Sequence, residues 1–216
     1  MAIVTPDFVF IHVPRTGGTS ARAAILETYP HAFDTNRLNA PVRKDAAGVV
    51  IPPEQHIAAS KLERRSHAAL IKGKRMIGFV RHPLSWYMSM WAWAKRTHFA
   101  EKIAVDPFAE RHWLAGVWSD ELKTFIDNVI AMQVPRAWVV FHEKLTRADG
   151  SMCELGRFES LHADVYKLTG CTITTRLRQS NEKAEITKSQ SYKISELERD
   201  TVNKFYGAQS IAEKSA

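Results

Sequence analysis

The residues best placed to do chemistry lie in the segment Phe8-Val-Phe-Ile-His-Val-Pro-Arg-Thr-Gly-Gly-Thr-Ser20. Its apolar start reads as a buried strand, and Pro14 stops the strand because it has no N–H for a sheet ladder. Gly17 and Gly18 allow a tight turn and close backbone approach to a ligand. Thr19 and Ser20 suit the start of a helix, and Ala21 to Leu26 are good helix formers. A glycine turn at a helix N-terminus aims several N–H groups and the positive end of the helix dipole at one spot, which favours a phosphate or a sulfate. Arg15 adds a permanent cation beside that spot. The segment is not a Walker A loop, G-x-x-x-x-G-K-[ST], because Thr19 stands where its lysine would fall and neither Val13 nor His12 supplies its first glycine.

A second strand–turn–helix segment follows. Arg75-Met-Ile-Gly-Phe-Val80 reads as a short apolar strand, and Arg81-His-Pro-Leu-Ser-Trp-Tyr-Met-Ser89 leads from it through a proline turn into a helix. Arg81 falls at the strand's C-terminal end, and Ser89 lies eight residues on, about two helical turns. A guanidinium fork with a hydroxyl to complete the shell suits a second phosphate.

Together the two segments resemble those of sulfotransferases that use 3′-phosphoadenosine 5′-phosphosulfate (PAPS). The nearest look is to the carbohydrate branch that includes the heparan sulfate 2-O- and 6-O-sulfotransferases. Pro14–Ser20 is similar to that branch's P-K-T-G-G-T-[ST] loop, with Arg15 where the family usually has Lys. Arg81–Ser89 is similar to its R-[DH]-P-x-x-x-x-x-S motif. Weaker echoes follow: Arg157-Phe-Glu-Ser-Leu161 with Leu168-Thr-Gly170 resembles a family R-[YF]-E-x-L segment, and Arg176–Asn181 falls where the family has an Asn-containing loop near the nucleotide.

The resemblance implies an α/β, P-loop NTPase-like three-layer fold with a central, mainly parallel sheet flanked by helices. It implies PAPS as co-substrate, PAP as product and no required metal. Arg15, Thr16, Gly17, Gly18, Thr19 and Ser20 would hold the 5′-phosphosulfate, with Arg15 neutralising charge on the leaving bridging oxygen. Arg81 and Ser89 would grip the 3′-phosphate. Arg178 and Asn181 would touch the 3′-phosphate or the adenine, with a solvated basic loop as the other reading of that stretch. For the base that takes the acceptor's proton the choice is His56, 25 residues before Arg81, in the region where family members with a histidine base carry it. Glu54 is its rival, and His67 and His12 are further options.

Composition agrees with this class without selecting it. The 216 residues suffice for one sizeable α/β domain over 1–216, with a loose tail from about 207 to 216. A formal net charge of +7 and a pI of about 9.5 call for an anionic partner. No arginine-rich tract or zinc-finger spacing favours nucleic acid, so the expected partners are the nucleotide and a hydroxyl-bearing acceptor, a glycan or small molecule. Cys153 and Cys171 form no C-x-x-C pair, and two free thiols are the default, with a single bridge open in an oxidising compartment. No apolar run reaches the ~18 residues of a membrane span, and the N-terminus lacks a basic signal region, so a cytoplasmic protein with no membrane partner is expected. Two other functions compete: a P-loop-like nucleotide kinase or NTPase, and a non-catalytic PAP- or glycan-binding module of the same fold.

The elements that must position these residues alternate between strand and helix. Helices are expected over 19–29, 54–64, 86–95, 120–132, 161–168 (ended by Gly170) and 195–206. Strands are expected at 8–13, 48–51, 75–80, Ala137–Phe141 and, as an edge, Phe158–Leu161. The segment 30–45 reads as loop or short strand. Five tryptophans, Trp86, Trp91, Trp93, Trp113 and Trp118, crowd one region, with core packing the first reading and sugar or adenine stacking the second. Residues 96–118 read as an acceptor-binding insert.

Overall fold

A computed structural model of the chain describes residues 2–35, 43–44, 50–51, 56–64, 68–103, 112–174 and 186–207. Glu54, His67, Arg178 and Asn181 lie outside the described residues, as do 208–216 of the expected tail. The chain divides into two compact units, one of Met1–Val80 with Val140–Leu177, the other of Arg81–Val139 with Arg178–Ala216.

The first unit is built on a five-stranded sheet. Its strands are β1 (Ala2–Val4), β2 (Phe8–Ile11), β3 (Phe33–Asp34), β6 (Arg75–Val80) and β7 (Glu154–Arg157), in the order β3-β1-β2-β6-β7. The ladders β2–β6 and β6–β7 are parallel, with Phe10 opposite Ile77 and Gly78 opposite Leu155. The ladders β1–β2 and β1–β3 are antiparallel. The sheet is therefore mixed, where a mainly parallel one was expected. The cause is β1, three buried residues too short to show a period, which turns back at Pro6-Asp7 to lie against β2. Two further strands, β4 (Arg43–Lys44) and β5 (Val50–Ile51), pair antiparallel as a separate ribbon.

Side-chain alternation sends Phe8, Phe10, Ile77 and Phe79 to one face of the sheet. There they form a core with Ala21, Ala24 and Ile25 of α1 (Gly18–Thr28) and with Leu161 and Val165 of the helix Leu161–Thr169. That second helix ends at Gly170, whose φ of 72° is the left-handed cap its sequence calls for. On the opposite face Gly78 leaves room for Leu145, since a Cβ there would overlap its Cδ2. Short helices α2 (Ala59–Glu63) and α3 (Ala68–Ile71) complete the described part of this unit. Burial raises the Cys153 thiol to about 12, and both cysteines are buried and unbridged.

The second unit is helical among the described residues. It holds α4 (Pro83–Arg96), α5 (Phe99–Ile103), α6 (Leu122–Met132), the start of α7 (Arg136–Leu145), α9 (Lys188–Leu197) and α10 (Arg199–Tyr206); α8 is the helix Leu161–Thr169 of the first unit. Trp86 and Trp91 are buried, and Trp113 stacks on Trp86 at 6.0 Å, so core packing accounts for much of the tryptophan cluster.

Four further expectations fail. Among the described residues, the helix expected over 54–64 forms only over Ala59–Glu63, and His56, Ile57 and Ala58 precede it in non-helical backbone. Ala137–Phe141 is the start of helix α7, not a strand. Its apolar run looked like a buried strand, but Ala137, Phe141 and Leu145 are the residues fully buried, at i, i+4 and i+8, while Val139 points outward at 40 % exposure. Phe158–Ser160 is a 3₁₀ turn rather than an edge strand, and the strand precedes it as β7. The last helix is two helices that meet at Glu198. Among the described residues no helix is long and apolar enough to cross a membrane.

Candidate functional site

The first cluster is built around the turn after β2. Residues 14–17 form the turn, and α1 begins at Gly18. Arg15 (φ 64°) and Gly17 (φ 83°) both have left-handed backbone, which is uncommon for a residue with a side chain and marks Arg15 as held by its surroundings. Thr16 is buried and its hydroxyl donates to the Val13 carbonyl at 3.0 Å, closing the turn from inside. Ser20 and Ala21 N–H groups both donate to the Gly17 carbonyl. No side chain caps α1, and no acidic residue stands in its first turn, so the positive end of the helix is not neutralised by its own sequence.

The two glycines are needed for different reasons. A Cβ at Gly17 would press on Leu161 and Phe158, and its positive φ would be strained as well. A Cβ at Gly18 would overlap the His12 imidazole. The segment Arg157–Leu161 thus packs its apolar side chains on the glycine turn, a link between two distant stretches of sequence that no local pattern reveals.

His12 and His56 sit together beside this turn. Their rings meet edge to face with centroids 4.9 Å apart, and the His56 Nδ1 lies 3.2 Å from the His12 carbonyl oxygen. A carbonyl only accepts, so Nδ1 carries the hydrogen and Nε2 of neutral His56 keeps its lone pair. Burial lowers the His56 pKa to about 4; the bond to the His12 carbonyl opposes the shift and Lys144 adds to it. Burial lowers His12 further, to about 3, helped by His56, Arg22 and Arg15. Both rings are neutral at pH 7. The His12 Nδ1 is buried without a hydrogen-bond partner among the described residues. Lys144, absent from the sequence reading, is held at 15 % side-chain exposure with its Nζ 3.0 Å from Glu143.

The second cluster lies where α4 starts. His82 is the N-cap, and Pro83 takes the first helical position, where its missing N–H costs nothing. The Arg81 Nε donates to the Ser85 hydroxyl at 2.9 Å. Ser85 is a partner the sequence reading missed, although its place four residues after Arg81 was visible. Ser89 is buried one turn further along α4. In sequence Arg81 directly follows β6, and Pro14 follows β2 by two residues; the two strands are parallel neighbours and end at the same sheet edge.

Among the described residues, no group of three or more His, Cys, Asp or Glu side chains is arranged to hold a metal ion. Compared with family profiles, curated proteins and solved structures, the chain matches none.

Proposed function

We propose that the protein is a PAPS-dependent sulfotransferase, moving the sulfuryl group to a hydroxyl acceptor such as a carbohydrate, on a P-loop NTPase-like fold. The observation that carries the reading is the first turn. It is a strand-to-helix glycine turn with Arg15 beside an uncapped helix start, and a neutral histidine pair lies against it. The resemblance of both motifs to the sulfotransferase loops, in the family's order, supports it further.

In this reading the N–H groups of Thr16 to Ser20 and the Arg15 guanidinium hold the 5′-phosphosulfate. They also meet the negative charge that grows on the bridging oxygen as PAP leaves. His56 takes the acceptor's hydroxyl proton at Nε2 while its Nδ1–H stays on the His12 carbonyl, a bond that favours the resulting imidazolium and partly offsets the burial that lowers its pKa to about 4. Arg81 and Ser89 hold the 3′-phosphate. The sulfuryl group carries less charge than a phosphoryl group, and the positioned cations serve where a kinase uses magnesium.

The test is PAPS turnover to PAP with a panel of hydroxyl acceptors, in wild type and His56→Ala. The expected result is acceptor-dependent PAP release that His56→Ala lowers by about 10²-fold or more, with PAP affinity little changed. Near-normal turnover by His56→Ala removes it as the base, and PAP release by no acceptor, alongside tight PAP binding, selects a non-catalytic binding module.

A further inference from the structure

The second unit contains a buried carboxylate that the proposed reaction does not use. Glu198 is fully buried at the junction of α9 and α10, serving as C-cap of the first and N-cap of the second. Its Oε1 accepts from the Tyr87 hydroxyl at 2.6 Å and from the Ala137 N–H at 2.8 Å. Its Oε2 accepts from the Trp138 N–H and the Thr201 hydroxyl, both at 2.9 Å. The Tyr87 hydroxyl in turn accepts from the Arg136 N–H at 3.1 Å.

One carboxylate therefore ties together three things: the open N-terminus of α7, the start of α10, and α4 through Tyr87. Burial pushes the Glu198 pKa up, and the hydrogen bonds from Tyr87, Ala137, Thr201 and Trp138 pull it back. Two of those donors are first-turn N–H groups, the placement in which a helix start best stabilises an anion. Such a network is directional, unlike the apolar packing around it, and so fixes rotation and height of a helix rather than only its presence.

What it fixes is α4, the helix that carries Ser89 and is entered from Arg81. Tyr87 and Ser89 are two residues apart and so project about 200° apart around the helix. Tyr87 is thus anchored on the side away from the serine, and removing its hydroxyl leaves the Arg81–Ser85–Ser89 face chemically untouched. The geometry points to Tyr87 and Glu198 as a positioning pair that sets the register of α4, and with it the preference of the Arg81–Ser89 motif for a nucleotide bearing a 3′-phosphate. This rests on the proposed reading of that motif.

The experiment compares wild type, Tyr87→Phe and Glu198→Gln by calorimetric titration with PAP and with ADP, which lacks the 3′-phosphate, alongside thermal melting of each protein. Both variants are expected to lower the ratio of PAP to ADP affinity about tenfold, chiefly through PAP. Glu198→Gln should have the lower melting temperature of the two, since it replaces an acceptor with a donor facing backbone N–H groups. If Glu198→Gln does not fold, Tyr87→Phe alone decides, because it removes one hydroxyl and keeps the ring. A lowered melting temperature with an unchanged PAP to ADP ratio would overturn the inference, since a merely structural network affects stability and not selectivity. A wild-type protein with no preference for PAP would overturn the reading of the motif and this inference with it, whereas preference intact in wild type and variants alike overturns the inference alone.

Discussion

The turns after β2 and β6 begin alike, with a buried parallel strand that ends near a proline before a helix, yet they are made of different material. After β2 the turn is backbone. Two residues with positive φ, two glycines and an uncapped helix start present N–H groups, and the side chains nearby serve to hold that backbone in place. After β6 the helix begins within two residues, proline fills its first position, and the chemistry is carried by side chains: Arg81 on Ser85, with Ser89 a turn beyond. A backbone cradle is unforgiving of any added atom but indifferent to most side-chain identity. A side-chain fork is the reverse.

That contrast predicts how each turn breaks. Gly18→Ala has the largest expected effect. Its methyl would overlap the buried His12 ring, and overpacking of this kind costs about 1–3 kcal/mol. Denaturant unfolding should show the destabilisation. The double variant Gly18→Ala with His12→Ala should recover part of it, and a strictly additive result would show that the two residues do not compete for space.

Arg81→Ala should leave the melting temperature nearly unchanged and weaken PAP by about 10- to 100-fold, the range for losing a charge-assisted bond to phosphate. Arg15→Ala should lower PAPS turnover more than PAP affinity, because its charge is used most as the leaving group departs. Equal losses in both would place Arg15 in ground-state binding only.

The histidines separate the turns by pH. His12 and His56 are held below their ordinary value of 6.5, to about 3 and about 4. The unfolded chain therefore binds more protons than the folded one below about pH 6.5. Stability contributed by the neutral pair is complete above that pH and is lost as pH falls towards 4 and then 3. His12→Phe should flatten the acid side of the stability profile, read as denaturation midpoint against pH, whereas Arg81→Ala should leave it as in wild type. The smallest effect expected is that of Ser85→Ala, which removes one hydrogen bond to Arg81 and should change PAP affinity by no more than a few fold.

Much of the fold is legible in the sequence, for identifiable reasons. The β6 strand, Pro83 at the start of α4 and the Gly170 cap are local signals, and each lies where its residues predict, whereas β2 ends at Ile11, short of the 8–13 expected. The Ala137–Phe141 run misled because periodicity over five residues cannot separate strand from helix; Leu145, four residues past Phe141, is what reveals the stripe. The split at Glu198 has no local signal, since a buried carboxylate needs donors from 61 and 111 residues away to be tolerated. The same is true of the His12–His56 pair. His56 was selected by its distance from Arg81, but its bond to the His12 carbonyl, which sets the proton on Nδ1, spans 44 residues. The packing of Phe158 and Leu161 on Gly17 is likewise a product of the sheet bringing β7 beside β6.

On the proposed reading, the chain recognises a nucleotide with phosphates at both its 5′ and 3′ positions. Calorimetric titration with PAP, set against ADP with and without magnesium, tests it most directly. The expected result is tight binding of PAP that does not depend on magnesium and is much stronger than that of ADP. Binding of ADP that equals or exceeds PAP, or that requires magnesium, would contradict it and move the chain to the nucleotide kinases and NTPases.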